Sequence, residues 1–185
     1  MFFVMVENPN GVRYELYITQ EQIEERVRAL AQQINRDYAG EDSLVFVGVL
    51  KGASFFVVDL VRQIDNPNVE VNFVSVTSRK GDTTSSREPI INLDIREPIR
   101  GKNVILVEDI VDTGYSINTL LNMIRARQPK SLRVCALLSK TPAREVEVPV
   151  DYLGFEIEDK WVEGYGLDTD QMGRARKDIV VRISP

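Results

Sequence analysis

The chain has 185 residues, 43% of them hydrophobic and 28% charged, a balance typical of one globular domain rather than of a disordered chain. The formal net charge of −5 disfavours a general nucleic-acid partner, because phosphate backbones attract basic surfaces. With no histidine and one cysteine, the usual zinc ligand sets are excluded, and proton transfer near neutral pH falls to carboxylates, lysine, tyrosine or the thiol.

The first half of the sequence alternates between helical and strand patterns. The apolar run Met1–Val6 is too short to span a membrane and is followed directly by Glu7, so it is also a poor signal peptide. Thr19 and Gln22 have the spacing of a capping box, which begins a helix. The predicted elements are a helix from Thr19 to Gly40, a strand at Leu44–Leu50, a helix from Ser54 to about Ile64 and a strand at Val69–Val76.

A polar stretch at residues 77–89 interrupts this alternation. It is rich in turn-forming residues and long for a connection, which is typical of either an active-site lid or a disordered loop. The lid is favoured, because the preceding strand should end at the edge of the sheet where ligands bind.

The second half continues the alternation. Cys135 lies within an apolar strand pattern, so it is predicted to be a core residue rather than a nucleophile, in a reducing compartment such as the cytoplasm. Fully apolar strands that alternate with helices indicate an α/β fold: a mostly parallel twisted sheet with helices on both faces. The predicted elements are strands at Val104–Val107, Arg133–Leu138, Tyr152–Ile157 and Asp178–Ile183, and a helix from Ser116 to about Arg127.

The segment after the strand that ends at Val107 carries the candidate chemistry. Gly114, at the start of the next helix, would let the backbone approach an anion, and the free N–H groups of that helix would bind a phosphate. The preceding carboxylates Glu108, Asp109 and Asp112 would repel a phosphate alone. A ribose diol can donate hydrogen bonds to carboxylates, and Mg²⁺ would offset their charge. The segment therefore predicts a site for ribose, phosphate and metal together.

Other sites also contain acidic residues after an apolar strand. The metal-binding strand of a P-loop nucleotidase needs a Gly-x-x-x-x-Gly-Lys-Ser/Thr loop, which this sequence lacks. An EF-hand needs alternate oxygen ligands and a central glycine, which do not match this spacing. A merely solvated acidic loop stays open on spacing alone.

The segment Val107–Ser116 resembles the phosphoribosyl-diphosphate signature of the type I phosphoribosyltransferases, in wording close to the hypoxanthine-guanine branch. The resemblance extends from about Leu16 to Arg174. Three further segments carry it in the family's order: Leu50–Ala53 is similar to the pyrophosphate loop, Lys140–Pro142 to the purine-reading lysine position, and Asp159–Asp168 to the C-terminal hood.

The resemblance implies roles for individual residues. Asp112 would be the general base at purine N7, and Lys140 would donate to the exocyclic O6. Trp161 would stack on the base, with the Val162 backbone at its edge. The other implied ligands are Glu108 and Asp109 for the ribose hydroxyls; Asp112, Thr113, Gly114, Tyr115 and Ser116 for the 5′-phosphate; Lys51, Gly52 and Arg174 for the pyrophosphate; and Asp168, Glu108 and Asp109 for Mg²⁺. The Leu50–Lys51 peptide is a candidate for strain, including a cis bond.

The implied protein is a single phosphoribosyltransferase domain over residues 1–185, with a lid at about 77–89 and a hood built from the N-terminal segment and about 152–178. The implied activity is purine salvage, in which hypoxanthine, guanine or both react with 5-phosphoribosyl 1-diphosphate to give the nucleoside monophosphate and pyrophosphate. The expected partners are these small molecules, without nucleic acid or membrane. A soluble cytoplasmic homodimer or homotetramer is expected by analogy.

Alternatives stay open on sequence alone. Asp112 is also compatible with a helix N-cap, Lys140 with a solvated strand end, Trp161 with the core and Arg174 with a surface charge. A phosphoribosyltransferase that prefers xanthine or another base, and an RNA-binding regulator that shares the fold, are the functional alternatives. Two departures from the family's pattern, Arg79-Lys80 after Ser78 and the lack of aromatic residues at 169–173, leave lid closure and the choice of base open.

Overall fold

The computed structural model describes residues 5–7, 12–77 and 89–183, with side chains from residue 12 onward. The predicted lid, apart from its two end residues, therefore lies outside the described residues, as does most of the first apolar run. The elements in chain order are β1 (Met5–Glu7), β2 (Arg13–Ile18), α1 (Gln20–Asp37), β3 (Leu44–Leu50), α2 (Ser54–Val61), β4 (Val69–Thr77), β5 (Ile90–Leu93), β6 (Asn103–Val111), α3 (Tyr115–Arg125), β7 (Ser131–Ser139), a 3-10 turn (Thr141–Ala143), β8 (Tyr152–Glu156), β9 (Val162–Glu163) and β10 (Ile179–Ile183).

A six-stranded sheet in the order β5-β4-β3-β6-β7-β8 forms the centre of the protein. All its neighbouring pairs are parallel except β4 with β5. One apolar cluster joins one face of the sheet to α1 and α2, and a second cluster joins the other face to α3. The predicted fold class, a mostly parallel sheet covered by helices on both faces, is confirmed.

Helix α1 follows from its sequence pattern. Gln22 N–H donates to Thr19 Oγ1 at 3.2 Å and Thr19 N–H donates to Gln22 Oε1 at 2.9 Å, so the predicted capping box is present. Such a cap contributes about 1 kcal/mol to helix stability. The apolar positions of the helix are buried against the sheet: Ile23, Val27, Leu30, Ala31 and Ile34.

A second, smaller sheet has the strand order β1-β2-β10-β9. Of its strands, only β10 was predicted. Strand β2 is not among the predicted elements, although its charged and apolar side chains alternate as they do in a half-buried strand. At the ends of the segment expected as the hood, β8 pairs with β7 in the large sheet, and β10 pairs with β2 in the small one. Among the described helices, none is long and apolar enough to cross a membrane.

Candidate active site

The acidic segment begins inside a strand rather than in a loop. Strand β6 was expected to end at Val107, but it continues to Val111 and stays paired with β7 through Val111 opposite Ser139. Glu108 remains in the sheet because its side chain is buried, at 6% exposure. The sheet therefore holds the first two carboxylates in place, and only the residues from Asp112 onward turn away toward α3.

Two adjacent clefts open at the carboxyl ends of the parallel strands. They share Ile110 and Asp112. The first, of about 200 Å³, is lined by Asp109, Ile110, Asp112, Lys140, Trp161, Val162, Leu167 and Asp168. The second, of about 340 Å³, is lined by Glu108, Ile110, Val111, Asp112, Thr113, Gly114, Ser116 and Ile117. Ten of the predicted site residues are therefore brought together, and Asp112 lies where the clefts meet.

The second cleft is built on the turn that precedes α3. Gly114 caps the helix at φ 95°, a left-handed conformation that favours glycine, and a Cβ at this position would lie 2.2 Å from the Val146 carbonyl oxygen. The N–H groups of Glu145 and Val146 donate to the Thr113 carbonyl at 3.0 and 2.9 Å. Since the first helical N–H groups have no partner within a helix, this turn provides donors for an anion. The cap is Gly114, so the alternative of Asp112 as a helix N-cap is wrong.

Glu108 and Asp109 form a tightly packed carboxyl pair. Glu108 Oε1 accepts a hydrogen bond from Asp109 N–H at 3.1 Å. Burial, and then the charge of Asp109, raise the pKa of Glu108 well above its usual range. Asp109 contacts the Lys51-Gly52 turn so closely that a Cβ on Gly52 would lie 1.7 Å from Asp109 Oδ2. The Leu50–Lys51 peptide at this turn is cis.

Lys140 and Trp161 both line the first cleft. Lys140 is 7% exposed, and its Nζ lies 3.1 Å from Asp159 Oδ1 and 3.7 Å from Asp112 Oδ2. Trp161 is 56% exposed, and its Nε1–H donates to Thr169 Oγ1 at 2.7 Å. The alternatives of a solvated strand end for Lys140 and of a core position for Trp161 are therefore both wrong. The cleft combines a buried cation with an exposed aromatic face.

The candidate pyrophosphate cations meet at one oxygen. Gln171 Oε1 accepts from Lys51 Nζ at 3.1 Å and from Arg174 Nη2 at 3.3 Å. Arg174 also lies 2.7 Å from Asp168 Oδ1 and is only 20% exposed, so the alternative of a free surface charge is wrong. Lys51, Gly52 and Arg174 line neither cleft. Gly52 contacts Asp109 and Arg174 pairs with Asp168, and both of these aspartates line the first cleft. Gln171 Oε1 lies between the two cations, at a position that suits an anionic oxygen.

Four site residues have no individual role in the sequence predictions, although Ile110 lies in the predicted signature, and Asp159 and Leu167 lie in the predicted hood. Ile110 and Leu167 supply apolar walls to the first cleft, Asp159 pairs with Lys140, and Gln171 joins the two cations. An apolar residue between carboxylates was a usable signal for Ile110, whereas the other three depend on distant contacts. Tyr115 lines neither cleft, and its hydroxyl donates to Glu145 Oε2 at 3.4 Å, so its expected contribution is limited to the backbone.

Known proteins are similar to this chain in sequence and in structure, including the residues that line both clefts. The model of the phosphoribosyl transferase domain family matches residues 16–170, which contain the linings of both clefts. The hypoxanthine-guanine phosphoribosyltransferase of Dictyostelium discoideum is 44% identical over 156 residues, covering 83% of this chain and 87% of that protein. The hypoxanthine phosphoribosyltransferase of Haemophilus influenzae is 41% identical over 162 residues, covering 86% and 90%. A crystal structure of a hypoxanthine-guanine phosphoribosyltransferase from Bacillus anthracis has a TM-score of 0.86 at 38% identity, covering 91% of this chain and 98% of that one.

Proposed function

The chain belongs to the phosphoribosyltransferase family, and we propose that it is a purine salvage enzyme that transfers the phosphoribosyl group of 5-phosphoribosyl 1-diphosphate to hypoxanthine, guanine or both. The observation that carries the proposal is the pair of clefts that meet at Asp112. One presents a buried cation and an aromatic face, and the other presents an anion-binding turn. The names of the relatives do not favour another base or an RNA-binding regulator.

The nucleotide binds across both clefts, with its phosphate in the second and its base in the first. The 5′-phosphate binds on the turn Asp112–Ser116, with the hydroxyls of Thr113 and Ser116 as additional donors. The ribose diol donates to Glu108, which lines the second cleft, and to Asp109, which lines the first.

The base binds between Trp161 and Ile110, with its O6 on Lys140 and its edge on the Val162 backbone. Lys140 has only donors to offer, so it favours a 6-oxo group over a 6-amino group. Lys51 and Arg174 bind the pyrophosphate, whose oxygen takes the position that Gln171 Oε1 occupies between the two cations.

Asp112 accepts the proton that the base must lose. As purine N9 forms its bond to ribose C1′, the bond from C1′ to the pyrophosphate oxygen breaks, and pyrophosphate leaves with the electron pair. The proton on N7 becomes more acidic as the N9 bond forms, so the Asp112 carboxylate is an adequate acceptor. The carboxylates near C1′ also stabilise the positive charge that the ribose ring develops.

The residues present fit Mg²⁺ on a diphosphate. Asp109 and Asp168 line the same cleft, and Mg²⁺ is commonly held by one or two carboxylates together with substrate phosphates. Asp168 keeps its orientation because Oδ2 accepts from Gln171 N–H at 2.7 Å. When bound, the ion would neutralise charge on the leaving pyrophosphate. Glu108 is the least suited of the three expected ligands, because its buried carboxyl favours the protonated form.

The choice of base is tested by pyrophosphate release. The chain is incubated with Mg²⁺, 5-phosphoribosyl 1-diphosphate and, in separate reactions, hypoxanthine, guanine, xanthine, adenine or uracil. We expect turnover with hypoxanthine, guanine or both, and at most trace rates with adenine and uracil. Turnover with adenine or uracil alone would contradict the proposal, and xanthine as the preferred base would correct its choice of substrate.

Lys140→Ala tests the purine-reading role. Removing a buried charged donor to O6 is expected to raise the KM of the base about 10- to 100-fold and to leave the KM of the donor nearly unchanged. Initial rates at varied base and varied donor separate the two constants. Lys160→Ala removes the same charge from an exposed hood position and should change neither KM by more than about twofold. A change confined to the donor KM would move Lys140 to the pyrophosphate.

We also propose a homodimer or homotetramer in the cytoplasm. Phe55 and Val58 on α2 are 44% and 48% exposed, and exposed apolar side chains of this kind support an interface. The buried thiol of Cys135, whose pKa is raised by burial, suits a reducing compartment. Light scattering after size-exclusion chromatography should give two or four times the 21.0 kDa chain mass, and a monomer would contradict the assembly.

A further inference from the structure

The cleft proposed for the 5′-phosphate has an unbalanced charge. Its lining includes the side chains of Glu108 and Asp112, and none of its described lining residues is lysine or arginine. A phosphate brings up to two further negative charges into this space. Backbone N–H donors and a helix terminus supply partial charges, but repulsion from the Asp112 carboxylate opposes them. A nearby cation outside the lining would therefore have a direct effect on phosphate binding.

Arg144 lies directly behind the phosphate turn. Its Cδ would be 3.2 Å from a Cβ on Gly114, so the side chain packs against the back of the turn. Its Nη2 donates to Ser139 Oγ at 2.8 Å, and Ser139 lies opposite Val111 in the β6–β7 register. The guanidinium is thus placed beside the end of β6, from which the turn begins.

Arg144 forms no ion pair with a carboxylate of the described residues. Its guanidinium donates to the neutral Ser139 hydroxyl. Its Nε atom is buried without a hydrogen-bond partner. Arg144 is half-buried, and a buried donor without a partner is costly for a residue that only braces a loop. A bound phosphate dianion across the turn would provide the missing compensation.

We propose that Arg144 is a positioning residue for the 5′-phosphate, which supplies positive charge through the Thr113–Gly114 turn and holds that turn against the end of β7. This inference rests on the proposed function, since it requires a phosphate in the second cleft. It adds to that function a residue that contacts no atom of the ligand. The effect depends on the phosphate group itself, so it should disappear when the ligand lacks that group.

The test compares inosine 5′-monophosphate with inosine, which differ only in the phosphate. Dissociation constants are measured by titration calorimetry, with competition for the weaker ligand, for the wild-type chain and the variants Arg144→Met and Arg144→Lys. We expect Arg144→Met to weaken the monophosphate about tenfold and to leave inosine unchanged. Arg144→Lys, which keeps the charge, should retain most of the affinity for the monophosphate.

Arg125→Met is the matched control, because it removes the same charge from the exposed far end of α3 and should leave both constants unchanged. Equal weakening of both ligands by Arg144→Met, or no weakening of either, would overturn the inference and leave the proposed function intact. Equal losses in Arg144→Lys and Arg144→Met would overturn the role of the charge. A wild-type chain that binds neither ligand would overturn the proposed function and this inference together.

Discussion

Asp112→Asn is expected to lower the turnover number by about 10²- to 10⁴-fold, because general-base catalysis contributes that much and asparagine cannot accept the proton from N7. The affinity for the donor should not fall, since the backbone of the turn and the hydroxyls of Thr113 and Ser116 are unchanged and a negative charge beside the phosphate is removed. Single-turnover rates with saturating donor and base measure the chemical step, and equilibrium titration of the donor measures its binding.

Asp159→Asn is the matched control for this prediction. Asp159 is 3.1 Å from Lys140 Nζ, whereas Asp112 is 3.7 Å away, so both substitutions remove a negative charge beside the same lysine. Only the Asp112 variant should lose the chemical step, while the Asp159 variant should at most alter base affinity. Equal turnover in the wild type and the Asp112 variant would remove Asp112 as the base. Equal losses in both variants would assign the effect to the environment of Lys140.

Gly114→Ala is expected to weaken donor binding about 10- to 100-fold, because the turn's N–H donors are displaced and a hydrogen bond to a charged group contributes about 1.5–3 kcal/mol. The added Cβ would lie 2.2 Å from the Val146 carbonyl oxygen, at a backbone φ of 95° that alanine tolerates poorly. The turn and the segment that braces it must therefore separate. The KM for 5-phosphoribosyl 1-diphosphate and the thermal unfolding midpoint are the two measurements.

Gly101→Ala separates backbone strain from the steric effect. Gly101 also has a positive φ, of 74°, but a Cβ there would meet nothing within 4 Å. It should lose about 1 kcal/mol of stability through strain and keep the wild-type donor KM. A similar donor KM in both glycine variants would contradict a phosphate site at the Gly114 turn.

The central sheet could be predicted because its strands are buried on both faces. The runs at Leu44–Leu50 and Val134–Leu138 are continuously apolar, and a run of this kind has few other stable structures. Strand β2 is absent from the predicted elements although its alternating side chains are typical of a half-buried strand, whereas β9 has two residues and depends on pairing with β10. Short strands with long-range partners carry little local signal.

The candidate site was predictable where chemistry and chain order coincide. Glu108, Asp109, Asp112 and Gly114 lie within seven consecutive residues, so their proximity follows from the chain itself. The burial of Lys140 and the meeting of Lys51 with Arg174 at Gln171 depend on packing between distant segments. Amino-acid type alone does not determine such contacts, and the extension of β6 to Val111 likewise required the pairing with β7.

A crystal structure of the chain with inosine 5′-monophosphate tests the central claim most directly. We expect the phosphate on the turn Asp112–Ser116, the ribose diol at Glu108 and Asp109, and the base between Trp161 and Ile110 with its O6 on Lys140. Density for the nucleotide with its phosphate between Lys51 and Arg174, or with its base outside the cleft of Lys140 and Trp161, would contradict the proposed function.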